Sequence, residues 1–115
     1  MATDTLLVLC TTTADSAAEL AAGIVDARLA ACVNILPAVS SVYRWEGAVE
    51  TANEALMLIK TTNEAYIGPE NHIKQAHPYE LPEIIAVSIE TGSHDYLQWL
   101  ARSTGKVEAS NPNRR

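Results

Sequence analysis

Residues 39–62 read VSSVYRWEGAVETANEALMLIKTT, and this stretch decides the architecture. Glu46-Gly47 sits between two long β-prone arms, and Gly supplies the positive φ that a two-residue hairpin tip needs. The return arm runs from Ala48 to about Thr62 without Gly or Pro. Its end alternates Ala55, Met57 and Ile59 with Leu56 and Leu58, so both faces are apolar and burial on two sides is predicted. A strand of ~14 residues at ~3.3 Å each spans ~46 Å. A compact chain of this length has a radius of gyration of only ~13 Å. The arm around Trp45 to Glu54 must therefore project beyond its own subunit. Its apolar faces need a partner, and an oligomer follows from that dimension.

Working outward, the upstream arm starts near Cys32-Val33-Asn34-Ile35 and is interrupted at Pro37. Pro cannot donate to a ladder, which predicts an edge or a bulge there. Further upstream, Ser16 and Glu19 have capping-box spacing, and Leu20, Ile24, Ala27 and Ala31 fall on one helical face. Gly23 inside this helix marks close packing on the sheet. Leu6–Thr12 is a continuous apolar run, the pattern of a strand buried on both faces. Downstream, a helix is predicted over Glu64–Ala76, with Gly68 and Pro69 making its first turn irregular or moving its start to Pro69. His77-Pro78-Tyr79-Glu80-Leu81-Pro82 is a rigid, extended connection. Glu83–Glu90 is a third strand, and Ser93-His94-Asp95 caps a last helix holding Tyr96, Leu97, Trp99 and Leu100. Strand, helix, hairpin, helix, strand, helix is the order of an α+β ferredoxin-like split βαβ fold. Residues 1–105 are expected to form one domain and 106–115 a mobile C-terminal tail.

The composition agrees with this reading. The chain has 115 residues, 48% of them hydrophobic, with no Phe, so Ala, Leu, Val and Ile must build the core. Net charge is −6. Residues 106–115 hold Lys106, Arg114 and Arg115 against Glu108, so the rest of the chain carries −8. An acidic body repels phosphate backbones and argues against nucleic-acid partners; it suits cations. Two cysteines exclude a disulfide framework. No signal-peptide pattern opens the chain, and Glu19, Asp26 and Arg28 interrupt the longest apolar region. The expectation is a cytoplasmic protein with no membrane segment.

No Walker or Rossmann phosphate loop, Cys-x-x-Cys, His-Glu-x-x-His or Gly-x-Ser-x-Gly occurs. Read as residues alone, Cys10 and Cys32 lie in apolar runs and behave as small buried hydrophobes. His77 follows a helix in a loop fixed by Pro78 and Pro82, beside Tyr79 and Glu80. His72 and His94 read as surface residues, and Trp45 and Trp99 as packing residues. A Lys at position 60 in a buried strand must be paired or lie in a cleft, and Glu54 of a neighbouring subunit is one candidate partner.

Ala31-Cys32-Val33-Asn34, Tyr43-Arg44-Trp45-Glu46-Gly47, Leu58-Ile59-Lys60-Thr61 and His77-Pro78-Tyr79-Glu80-Leu81-Pro82-Glu83-Ile84 recur in this order and spacing in one family. Over about Leu6 to Leu100 the chain resembles the CutA divalent-cation tolerance proteins. The resemblance implies a ferredoxin-like fold related to PII signalling proteins, a tight homotrimer, and a non-catalytic role in tolerance of divalent metal ions, copper included. It implies Cys10 and His77 as metal ligands; Ala76 stands where some members carry a second histidine. Thiolate with imidazole is a borderline-soft pair suited to copper or zinc. A third ligand would come from Glu80, Glu83, water or another subunit. A second reading is a PII-like sensor holding a small anion in the intersubunit cleft, with Lys60 and backbone donors as its anchors. Cys32, Trp45, Glu54, Lys60, Tyr79 and Glu80 are the cleft candidates. A third, a Cys/His hydrolase or transferase using Cys32 or Cys10 with His77, is disfavoured because neither Cys is expected to have a basic neighbour to lower its pKa and no nucleophile motif surrounds it.

Overall fold

The computed structural model of the protein describes residues 4–105. Seven elements follow one another: β1 (Thr5–Thr12), α1 (Ala17–Asp26), β2 (Cys32–Trp45), β3 (Ala48–Thr62), α2 (Ile67–Ala76), β4 (Ile85–Ser88) and α3 (His94–Arg102). The strands form one sheet in the order β2-β3-β1-β4, with every neighbouring pair antiparallel. Each crossover helix links two strands that flank a third, which is the ferredoxin-like split βαβ arrangement. The expected tail, 106–115, lies outside the described residues.

The hairpin has the predicted tip. Glu46 and Gly47 take φ of 50° and 83°, so both central residues are left-handed, as a type I′ turn requires. From there β2 and β3 run paired back to Cys32 opposite Lys60. The molecule measures 53 × 29 × 22 Å and its radius of gyration is 15.4 Å, above the ~13 Å of a compact chain of this size. The arm accounts for the excess. A Gly47→Val substitution puts a β-branched residue at φ 83° and is expected to cost about 1–2 kcal/mol. The thermal midpoint should fall while the far-ultraviolet spectrum stays the same; an unshifted midpoint would mean the tip relaxes freely.

Pro37 sits at a β-bulge. Leu36 pairs with Leu56 and Val39 with Glu54, so three steps along β2 match two along β3. One extra residue reverses the in–out alternation of everything beyond it. Before the bulge, Cys32, Asn34 and Leu36 share a face with Leu56 and Lys60. After it, Val39, Tyr43 and Trp45 take that face together with Glu54.

The helical face of the sheet holds the core. Val8, Cys10, Met57 and Ile59 are fully buried there with Ile24 of α1 and Ile73 of α2. The opposite face is only partly covered. Leu9, Leu56 and Leu58 are half-buried, and Leu36, Ile85 and Val87 are 40%, 54% and 51% exposed. The two-sided burial predicted for β3 is thus complete on one side of a single chain. α3 reaches the Cys32 end of this second face, where burial first and the nearby Cys32 thiol second raise the pKa of the Tyr96 hydroxyl. Ser93 caps α3 by accepting from the Tyr96 N–H at 3.4 Å.

Four local expectations are corrected. Ser16 makes no side-chain cap on α1; its hydroxyl is taken by the Thr12 and Thr13 hydroxyls, at 2.6 and 2.9 Å, and by the Thr13 carbonyl. α1 ends at Asp26 and does not continue to Ala31. Arg28 turns left-handed at φ 59°, and the N–H groups of Arg28 and Leu29 close onto the carbonyls of Val25 and Ile24, a Schellman ending without glycine. The Arg28 guanidinium holds that geometry by donating to the carbonyls of Gly105 and Arg102. Gly23 packs against α2 and not on the sheet: a Cβ there would sit 3.0 Å from His72 Nε2. His72 is accordingly half-buried rather than a surface residue.

Candidate functional site

The fold gathers one group of the expected site residues where the hairpin arm leaves the sheet. α2 stops at His77, whose backbone is extended (ψ 140°) because Pro78 follows. This turns the chain back across the end of β1. His77 Nε2 donates to the Thr11 carbonyl at 2.7 Å, and Nδ1 accepts the Tyr79 N–H at 3.0 Å. A carbonyl can only accept, so the ring is the neutral Nε2–H tautomer with both nitrogens engaged. The Tyr79 ring tilts against it at 4.7 Å. The Tyr79 hydroxyl then donates to Glu54 Oε2 at 2.6 Å.

Cys10 lies one residue before Thr11 with its side chain fully buried on the helical face. Burial pushes its thiol up to about 12, with the carboxylates of Glu83 and Glu54 adding to the shift. Tyr79 is also pushed up to about 12, first by burial and then by its bond to Glu54. At neutral pH this end of the molecule therefore holds a protonated thiol and a neutral phenol.

Above this layer opens a cleft of about 740 Å³ between the arm and the loop 79–83. Tyr43 and Trp45 of β2, Glu54 of β3, and Tyr79, Glu80 and Glu83 of the loop line it. The Pro37 bulge is why the two aromatic side chains of β2 point to the Glu54 side. Tyr43 was not among the sequence candidates; its place two residues from Trp45 on one strand was the available signal.

Two candidates lie elsewhere. Lys60 is six strand positions from Glu54, about 20 Å away, and outside the cleft. Its ammonium donates to Asn34 Oδ1 and approaches Cys32 Sγ at 3.9 Å. Cys32 thus has a basic neighbour through space that its sequence neighbours do not reveal. The partner found for Glu54 is Tyr79 of its own chain. Both cysteines are free. Among the described residues, no three His, Cys, Asp or Glu side chains converge as ligands for a metal ion. With a protonated thiol and an imidazole whose nitrogens are both engaged, one chain as folded does not present a closed, resident metal site. Among the described residues no helix is long and apolar enough to cross a membrane.

Comparison with known proteins gives a consistent result. Residues 6–103 match the family model of the CutA1 divalent ion tolerance protein. The divalent-cation tolerance protein CutA of Thermus thermophilus is 44% identical over 100 residues, 86% of this chain and 97% of its own. Human protein CutA is 42% identical over 94 residues, 82% of this chain; the match spans about half of the human protein, 52%. Among solved structures, CutA1 from Oryza sativa superposes with a TM-score of 0.87 at 40% identity, covering 91% of this chain and 97% of that one. The PII-like protein CutA from Nostoc shares the fold, with a TM-score of 0.82 at 24% identity over 87% of this chain and 97% of its own. The four ordered motifs, the 4-1-3-2 sheet with its projecting hairpin, and the match over nearly the whole described chain lead to one conclusion: this protein belongs to the CutA1 divalent ion tolerance family.

Proposed function

We propose that the protein is a non-catalytic responder to divalent metal ions, with copper as its ion, and that it works as a ring of three chains. The observation that carries this reading is family membership joined to the chemistry at the end of β1. There a thiol lies one strand position from an imidazole-bound carbonyl, with the carboxylates of Glu54 and Glu83 near enough to act on the thiol's charge. Copper is treated as the signal the protein meets and not as a resident cofactor. Cys10 and His77 are its proposed ligands. Both are occupied in the resting chain, so ion binding must displace the Cys10 proton and one His77 hydrogen bond. Support for the ring comes from the 53 Å extent and from the apolar strip left uncovered across the sheet. Support for a non-catalytic role comes from Cys10, whose thiol is held protonated and sealed from solvent. A cytoplasmic location belongs to the same proposal and fits two unpaired cysteines.

The test is copper titration by calorimetry. His77→Ala should reduce affinity. Ala76→His should raise it, because position 76 is exposed at the end of α2 and accepts a longer side chain. Affinity in the starting protein should climb about tenfold per pH unit, one proton being released from Cys10 per ion. An isotherm that His77→Ala leaves unchanged would remove His77 from the site.

A further inference from the structure

His77 rests in a tautomer that opposes ligation beside Cys10. The Thr11 carbonyl accepts from the Cys10 thiol at 3.6 Å and from His77 Nε2 at 2.7 Å, so the two proposed copper ligands meet at one oxygen through Sγ and Nε2. A ring nitrogen that takes an ion gives up its proton, and a neutral imidazole then carries that proton on its other nitrogen. For Nε2 to ligate, Nδ1 must be protonated. Nδ1 is the nitrogen at which the Tyr79 N–H points, 3.0 Å away. Two donors would face each other there, and one of them has to move.

Tyr79 is tied at both ends. Its N–H is on His77, its ring tilts against the imidazole at 4.7 Å, and its hydroxyl donates to Glu54 Oε2 at 2.6 Å. Pro78 stiffens the link between residues 77 and 79. Glu54 belongs to β3, where it pairs with Val39, and is 6% exposed; assembly with other chains can only bury it further. A carboxylate so buried depends on its donor, because breaking that bond leaves a charge without hydration. The hydroxyl thus anchors to a strand the backbone N–H that sets the tautomer of His77.

We propose that Tyr79 and Glu54 are positioning residues that latch His77: their hydrogen bond holds the Tyr79 N–H on Nδ1 and keeps the site closed until that bond breaks. The inference rests on Cys10 and His77 as the copper ligands and adds what regulates them. On opening, the Cys10 thiol passes its proton to water, Nε2 gives up its proton and Nδ1 gains one, so the ring stays neutral. The free energy of opening is subtracted from that of binding, and the latched protein binds more weakly than its ligands alone would allow.

The experiment titrates copper by calorimetry into the full-length protein and into Tyr79→Phe, with a thermal melt of each. The variant keeps the ring and the backbone N–H and loses the anchor. Its copper affinity should rise about threefold while its thermal midpoint falls. A purely structural role would lower both together. Nitrogen NMR of the unaltered protein reads the tautomer with zinc, a diamagnetic ion of similar borderline softness, and His77→Ala identifies the His77 signals. The Nε2–H form is expected without zinc and the Nδ1–H form with it. Copper affinity that is unchanged or lower in Tyr79→Phe, or an Nε2 proton that persists at saturating zinc, overturns the latch. The two readings fail separately: a copper isotherm that His77→Ala leaves unchanged removes the copper site and the latch with it, whereas an isotherm weakened by His77→Ala but not strengthened by Tyr79→Phe removes the latch alone.

Discussion

An Ile85→Asp variant is expected to sediment and scatter as a single 12.4 kDa chain, whereas the starting protein runs at about three times that mass. Ile85 lies on the edge strand β4, on the sheet face turned away from α1 and α2, and is 54% exposed in one chain. It continues a strip formed by Leu36 of β2, Leu56 and Leu58 of β3 and Leu9 of β1. A carboxylate there costs the isolated chain little, because the position is already in contact with water. Within an assembly the strip is covered, and an unpaired charge at its margin loses its hydration. The penalty recurs three times around a ring. Val25→Asp is the control: Val25 is 39% exposed on α1, on the helical side of the sheet, and the change should leave the mass of the ring unaltered. A monomeric mass for the unaltered protein at micromolar concentration, or an intact ring in Ile85→Asp, would remove this face from the interface.

How much of this was legible in the sequence depends on whether the signal was local. The hairpin tip was, because Glu46-Gly47 supplies the left-handed pair that a two-residue turn demands. The Ser93 cap and the extended backbone before Pro78 were legible for the same reason: each is decided within a few residues. The end of α1 was not. Its stop signal is Arg28 in a conformation usually left to glycine, held by carbonyls at Arg102 and Gly105 that lie more than seventy positions away. Gly23 likewise signalled close approach, but only the fold identifies His72 as the neighbour.

The site was half legible for a subtler reason. Pro37 pointed to a bulge, yet the consequence of a bulge is a change of parity, which shows only when the register is known. Counted without the extra residue, Tyr43 and Trp45 would face away from Glu54. Counted with it, they join Glu54 in one cleft while Cys32 and Lys60 stay at the far end of the sheet. The engagement of both His77 nitrogens was equally out of reach, since the Thr11 carbonyl is sixty-six positions away.

Raising the pH to 11 is expected to weaken the folded state through Cys10, and a Cys10→Ala variant should escape most of that loss. The folded thiol titrates at about 12 against an ordinary value of 9.0, because burial excludes its thiolate and the carboxylates of Glu83 and Glu54 repel it. A group whose folded pKa is raised contributes its stability in full below the unfolded value and loses it as pH climbs through the window, here from 9 to 12. Three pKa units correspond to about 4 kcal/mol in all, of which about 3 kcal/mol is gone by pH 11. Tyr79 shifts in the same direction and loses stability alongside Cys10. Tyr79 titrates in both proteins, so the difference between them is that of the thiol together with its small repulsion of the Tyr79 phenolate. At pH 7.5 the alanine variant should be less stable by about 1 kcal/mol, the effect of a small deletion in the core. At pH 11 the order should reverse. Urea midpoints at the two pH values, measured with a reductant present, decide it. Parallel losses in both proteins would mean that the Cys10 thiolate is accommodated in the fold, and that the seal around the proposed copper ligand is looser than its burial implies.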